Sequence, residues 1–137
     1  MKKTVLYHVT KTSSVSKIRK LGIMPTRRSN WVVLGTGRRY GKRGEIFAFE
    51  NHGDALQWAG RFDWELHHDL GTEKVSIVEF FANLADWSED TADPLSHAGS
   101  EGRWLKSTTS VKPGDIFSVT PVTEAQIRER IRQRDGR

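Results

Sequence analysis

A compact α+β domain is the fold class that this sequence predicts. Short runs rich in β-branched and aromatic residues recur along the chain with turn chemistry between them. Two or three short helical patterns lie between those runs, each bounded by capping residues. The composition, 36% hydrophobic with five Trp and six Phe in 137 residues, is enough for one real core. No internal repeat or low-complexity linker divides the chain, so a single domain over 1–137 is expected.

Residues 4–10 read as a buried strand with one polar side chain, His8, in its middle. A polar group placed there needs a partner or a task. Ser13 or Ser14 can cap a short helix in which Val15, Ile18 and Leu21 share a face. Gly22 can end that helix in a left-handed conformation, and Pro25 stops any continuation. Residues 26–44 are basic and glycine-rich and read as a loop, apart from the short apolar run Trp31-Val32-Val33-Leu34.

Glu45-Ile46-Phe47-Ala48-Phe49 reads as a second core strand. One or two helical turns over residues 54–59 follow cap candidates at Asn51 to Asp54. The clearest strand is Lys74 to Phe81, with weaker strands at 104–107 and 115–122 on either side of the turn Lys112-Pro113-Gly114-Asp115. Residues 86–100 are polar and interrupted by Pro94 and Gly99. At the carboxyl end, Thr123 and Gln126 have capping-box spacing before a short helix. Arg128, Arg130, Arg132 and Arg134 are expected to fan from it into solvent.

The charge is uneven. Lys plus Arg number 22 against 17 acids, a net +5, yet no acid precedes Glu45. The amino-terminal third should carry a positive field that suits an anionic partner such as a dinucleotide, a nucleic acid or an acidic protein; the plainer alternative is a solvated face that keeps the protein soluble. With no cysteine, a disulfide, a thiol nucleophile and a zinc–thiolate site are all excluded. No apolar run reaches the length of a membrane span and no signal-peptide segment is visible, so a cytoplasmic protein is expected, without membrane partners and monomeric. Gly35-Thr36-Gly37 lacks the third glycine of a dinucleotide fingerprint, and in His67-His68-Asp69 adjacent side chains diverge, which disfavours a metal site.

Taken together, Tyr7-His8-Val9-Thr10, Gly22-Ile23-Met24-Pro25 and Gly44-Glu45-Ile46-Phe47-Ala48 resemble, in order and spacing, the ADP-ribosyltransferases of the diphtheria-toxin and poly(ADP-ribose) polymerase type. With Phe47 on the aromatic of the family's strand, Trp58 falls on the helix aromatic that stacks on nicotinamide. The resemblance covers residues 5–59 and implies a compact fold of short antiparallel and mixed strands with a few short helices. It also implies that NAD is a substrate, that ADP-ribose passes to a macromolecule, nucleic acid or protein, and that nicotinamide is released. His8 and Thr10 would hold ribose hydroxyls, and Phe47 and Trp58 would clamp the nicotinamide ring. Small size is in keeping with a toxin or a phage or bacterial effector.

These residue types suit the chemistry. Cleavage of the glycosidic bond passes through an oxocarbenium-like state, and a flat cationic ring is held well by aromatic faces. Arg27, Arg28 and Arg43, with Arg38 and Arg39, could fork a pyrophosphate. The catalytic acid is expected at Glu101, the carboxylate nearest the late strand, with Glu79 a second choice. Relatives often carry the acid directly before the Trp-like residue, where this chain has Arg103. Gly102-Arg103-Trp104-Leu105 also looks similar to a segment of the RNA 2′-phosphotransferases, whose separate amino-terminal domain has no counterpart in this sequence. Plainer alternatives are a structural histidine, core aromatics, an exposed loop acid, and a non-catalytic module of the same fold that binds nucleic acid or blocks a protein partner.

Overall fold

The computed structural model describes residues 3–25, 44–65, 74–90 and 100–135, with side chains left undescribed for 61–65 and 134–135. The strand containing His8, β1 (Thr4–Lys11), lies inside one antiparallel sheet. The others are β2 (Ile46–Phe49), β3 (Val75–Ala82), β4 (Ser88–Glu89), β5 (Trp104–Ser107) and β6 (Ile116–Pro121), in spatial order β4-β5-β2-β1-β3-β6. Helices α1 (Val15–Leu21), α2 (His52–Glu65) and α3 (Glu124–Asp135) complete an α+β fold, as the sequence predicts.

Register decides what each strand residue can reach. β1 pairs with β3 from Thr4↔Ala82 to Lys11↔Val75 and meets β2 at Tyr7↔Phe49. Side chains alternate between the two faces with period two. Val9, Phe47, Phe49, Val75 and Ile77 therefore pack on one face with Ala55, Trp58 and Ala59 of α2. Leu6, Ile46, Ala48, Val78 and Phe80 pack on the other with Ile18 of α1 and with Ile23. His8 and Thr10 share the parity of Leu6 and so belong to the α1 face.

Helix α1 follows the expected bounds, although Ser14 at its N-cap makes no side-chain capping bond and Leu21 is exposed. Gly22 ends it at φ +82°, where glycine carries no steric penalty. A Cβ there would lie 1.9 Å from the Val111 carbonyl oxygen. The close approach lets Ile23 and Val111 exchange backbone bonds of 2.9 and 2.8 Å, tying the Gly22 turn to the segment before β6.

Helix α2 is longer than the one or two turns expected, running 14 residues. Its start is fixed by Asn51, whose Oδ1 accepts from the Gly53 and Asp54 N–H groups at 2.7 and 3.3 Å. The capping box of α3 forms as expected: Gln126 Oε1 accepts from the Thr123 N–H, and Thr123 Oγ1 accepts from the Gln126 N–H. α3 packs on α2 at Gly60, where a Cβ would come 2.7 Å from Ile127 Cγ2. Arg130, three residues beyond Ile127, faces the same way. Far from fanning into solvent, it is 2% exposed, whereas Arg128 and Arg132 are exposed and pair with Glu124 and Glu129.

In the polar stretch 86–100, β4 adds a short sixth strand after a 3-10 turn at Leu84–Asp86 that Asn83 caps. Residues 91–99 lie outside the described residues. Among the described residues, no helix is long and apolar enough to cross a membrane.

Candidate functional site

A cavity of about 180 Å³ opens on the α1 face, between β1, α1 and the first residues of β2. Its walls include His8 and Thr10 from β1, Lys17 from α1 with Ser14 just before it, and Phe47 from β2 with Glu45 just before that strand. That volume is close to an engineered apolar cavity that takes up benzene and is well below a complete drug-sized pocket. It suits one ring-sized moiety, with the remainder of any larger ligand lying outside.

His8 gives the cavity its chemical character. The Phe47 carbonyl oxygen, 2.6 Å from Nδ1, can only accept, so Nδ1 carries the proton and Nε2 is an acceptor. Among the described residues, Nε2 has no partner. Burial pushes the imidazole pKa below its ordinary value, partly offset by the bond to Phe47, which keeps the ring neutral near pH 7. A neutral acceptor of this kind suits a hydroxyl or N–H donor and gives an anion nothing to pair with. Thr10, 5% exposed and two residues along the same strand, lies on the same face and adds a hydroxyl.

Two expected members are placed elsewhere. The Phe47 and Trp58 side chains are core residues on the α2 face, so the aromatic clamp across the His8 cavity does not form. Trp58 packs with its ring centroid 5.4 Å from Trp104 and 6.2 Å from Phe49. The cause is the Tyr7↔Phe49 register, which gives His8 and Phe47 opposite parity. Phe47 lines the cavity, where its backbone carbonyl meets His8. Arg27, Arg28 and Arg43, with Arg38 and Arg39, lie outside the described residues, as do Trp31 to Leu34 and His67-His68-Asp69.

Glu101 sits at the other end of β2, beside Glu50 and Asn51, and does not line the cavity. It belongs to a network centred on Asp54, which is fully buried. The Asp54 carboxylate accepts from the Glu101 and Gly102 N–H groups, each at 2.9 Å, and from Arg130 Nη2 at 3.3 Å. The Arg130 guanidinium also donates to the Gly53 carbonyl at 2.8 Å, to Gln57, and to Glu101 Oε1 at 3.3 Å. Asn51 Nδ2 donates to the other oxygen of Glu101. Beside this network, Arg103 forks Glu50 at 2.8 and 2.9 Å. The Arg103 bonds hold the Glu50 carboxyl below its ordinary pKa. These bonds tie the segment before β5 to α2 and α3, and they bring Glu101 into an open groove with His52, Leu56 and Gln126.

Sequence reading passed over Ser14, Lys17 and Glu45 as cavity residues. Glu45 carried a usable signal: it is the first acid after 44 residues without one, and it stands at the start of a core strand. Neither a protein-family model nor a curated protein matches the chain.

Proposed function

We propose that the chain is an NAD-dependent ADP-ribosyltransferase that takes the nicotinamide–ribose end of NAD at the His8 cavity and passes ADP-ribose to a macromolecular acceptor, nucleic acid or protein, releasing nicotinamide. The observation that carries this reading is the His8 tautomer. An imidazole fixed at Nδ1 by the Phe47 carbonyl offers Nε2 to a hydroxyl donor inside a ring-sized cavity. A ribose hydroxyl meets that requirement, and Thr10 supplies a second polar contact. The cavity's apolar lining from Ile18, Ile23 and Ile46 supports a flat ring better than a phosphate. Lys17 at its wall and the basic amino-terminal third provide positive charge for the rest of a dinucleotide. The reading includes a cytoplasmic monomer.

A second reading, a binding module of the same fold without transferase activity, is favoured by the engagement of Glu101 in the Asp54–Arg130 network. Incubation with NAD labelled in its adenylate half, with nucleic acid or protein as acceptor, separates the two. The transferase reading expects free nicotinamide and a labelled macromolecule. Salt-dependent binding of nucleic acid without nicotinamide release would instead establish the module.

A further inference from the structure

We infer that Glu45 is the carboxylate that takes the acceptor's proton and faces the developing positive charge, an inference that rests on the transferase reading above. Among the described residues lining the His8 cavity, Glu45 is the only acidic one. It also lines a second hollow of about 190 Å³ on its other side, whose walls include Asp86, Trp87, Ser88, Lys106 and Thr108. Among the described residues, it alone lines both. A transferase needs a carboxylate at such a boundary, with the glycosyl donor on one side and the acceptor nucleophile on the other.

The surroundings suit that task. The Glu45 side chain is 11% exposed, and its Oε2 lies 3.4 Å from Lys106 Nζ. Little water reaches it, so its charge acts on a developing cation through a weakly screening medium. His8 is neutral and contributes no compensating charge. The second hollow is a built wall: Ser107 Oγ donates to the Asp86 carbonyl at 2.6 Å and accepts from the Thr109 N–H at 3.0 Å. Its hydroxyls, lysine and half-buried Trp87 suit a polar nucleophilic group.

In the step this implies, the bond between ribose C1′ and the nicotinamide nitrogen breaks, and its electron pair leaves with nicotinamide, which becomes neutral. A lone pair of the acceptor's oxygen or nitrogen forms the new bond to C1′. The acceptor's proton passes to the Glu45 carboxylate and from there to water. No oxidant or reductant is required.

The test compares wild type with Glu45→Gln, Glu45→Ala, Lys106→Met and Glu101→Gln, reading both the NAD-induced rise in melting temperature and nicotinamide release. Glu45→Gln should keep the thermal shift and lose about 100-fold or more in release. Added formate should restore part of the release in Glu45→Ala, an effect that a merely structural role would not give. Lys106→Met, which removes the ion pair and one wall of the second hollow but keeps the carboxylate, should lower release less than Glu45→Gln, and Glu101→Gln should retain it. Release by Glu45→Gln within about threefold of wild type would overturn the inference while leaving the transferase reading intact. So would a loss in Lys106→Met as large as that in Glu45→Gln, because Glu45 would then act only as a structural partner. A wild type that neither binds NAD nor releases nicotinamide would overturn the transferase reading, and the role of Glu45 with it.

Discussion

Asp54→Ala tests the network that holds Glu101 away from the cavity. The substitution removes the acceptor of two backbone N–H bonds of 2.9 Å, from Glu101 and Gly102, together with one contact of the buried Arg130 guanidinium. Stripping one partner from a buried ion pair costs about 3–5 kcal/mol. Here the lower end applies: Arg130 keeps Gly53, Gln57 and Glu101, and Glu101 is exposed enough for its N–H to regain water. The expected loss is therefore about 3 kcal/mol, or a melting temperature lower by about 12 °C for a domain of this size. Arg130→Met should cost less, because Asp54 keeps both backbone donors and the methionine fills much of the vacated volume. Urea unfolding and calorimetry on the three proteins give both numbers. A loss below about 1 kcal/mol for Asp54→Ala, or a larger loss for Arg130→Met, would refute a carboxylate-centred clamp.

Two further outcomes follow from the cavity and its frame. Gly22→Ala should cost about 2–3 kcal/mol or more, because φ is +82° and the new Cβ would meet the Val111 carbonyl at 1.9 Å; an unchanged urea midpoint would contradict that geometry. Because burial holds the His8 pKa below its ordinary 6.5, the unfolded chain binds the extra proton first as pH falls. The neutral ring's contribution to stability is complete above 6.5 and is lost as pH falls from 6.5 towards the folded value. Unfolding free energies measured across that window should fall more steeply for wild type than for His8→Gln, and equal slopes would count against a buried neutral imidazole.

The strands were legible because local pattern suffices for them. The apolar, β-branched run around His8 and the run Val75–Ala82 bury side chains on both faces, and each strand lies within a residue or two of its expected bounds. The Thr123–Gln126 box was legible for the same reason, since both partners lie within one helical turn. The face on which a residue lies was not. The eleven residues from Phe47 to Trp58 give order along the chain, and the two do share a core, yet His8 opposes that core because of a β1–β2 register that joins residues far apart in sequence. Tyr7↔Phe49, once known, excludes Phe47 from the His8 face.

The surroundings of Arg130 and Glu101 were not legible for a related reason. An arginine in a basic terminal helix reads as solvated, and the partners that accompany its burial, Gly53, Asp54, Gln57 and Glu101, lie 29 to 77 residues earlier. Glu101 is the carboxylate nearest β5 in sequence, but Asn51 and Arg130 hold its carboxylate and Asp54 holds its backbone, at the far end of β2. Glu45 was hidden by its position at a strand start, where an acid reads as a solvated end. Its place between two hollows depends on β2 pairing with β5, which brings Lys106 beside it.

An NAD titration followed by thermal unfolding, on wild type and His8→Ala, tests the assignment of the His8 cavity most directly. Binding to the folded state alone adds about 2.7 kcal/mol at a ligand concentration 100-fold above Kd, a rise of about 10 °C here. The wild type should show such a rise, increasing with the logarithm of NAD concentration, and His8→Ala should lose most of it. No shift in the wild type at saturating NAD, or an equal shift in His8→Ala, would contradict a dinucleotide site built on His8.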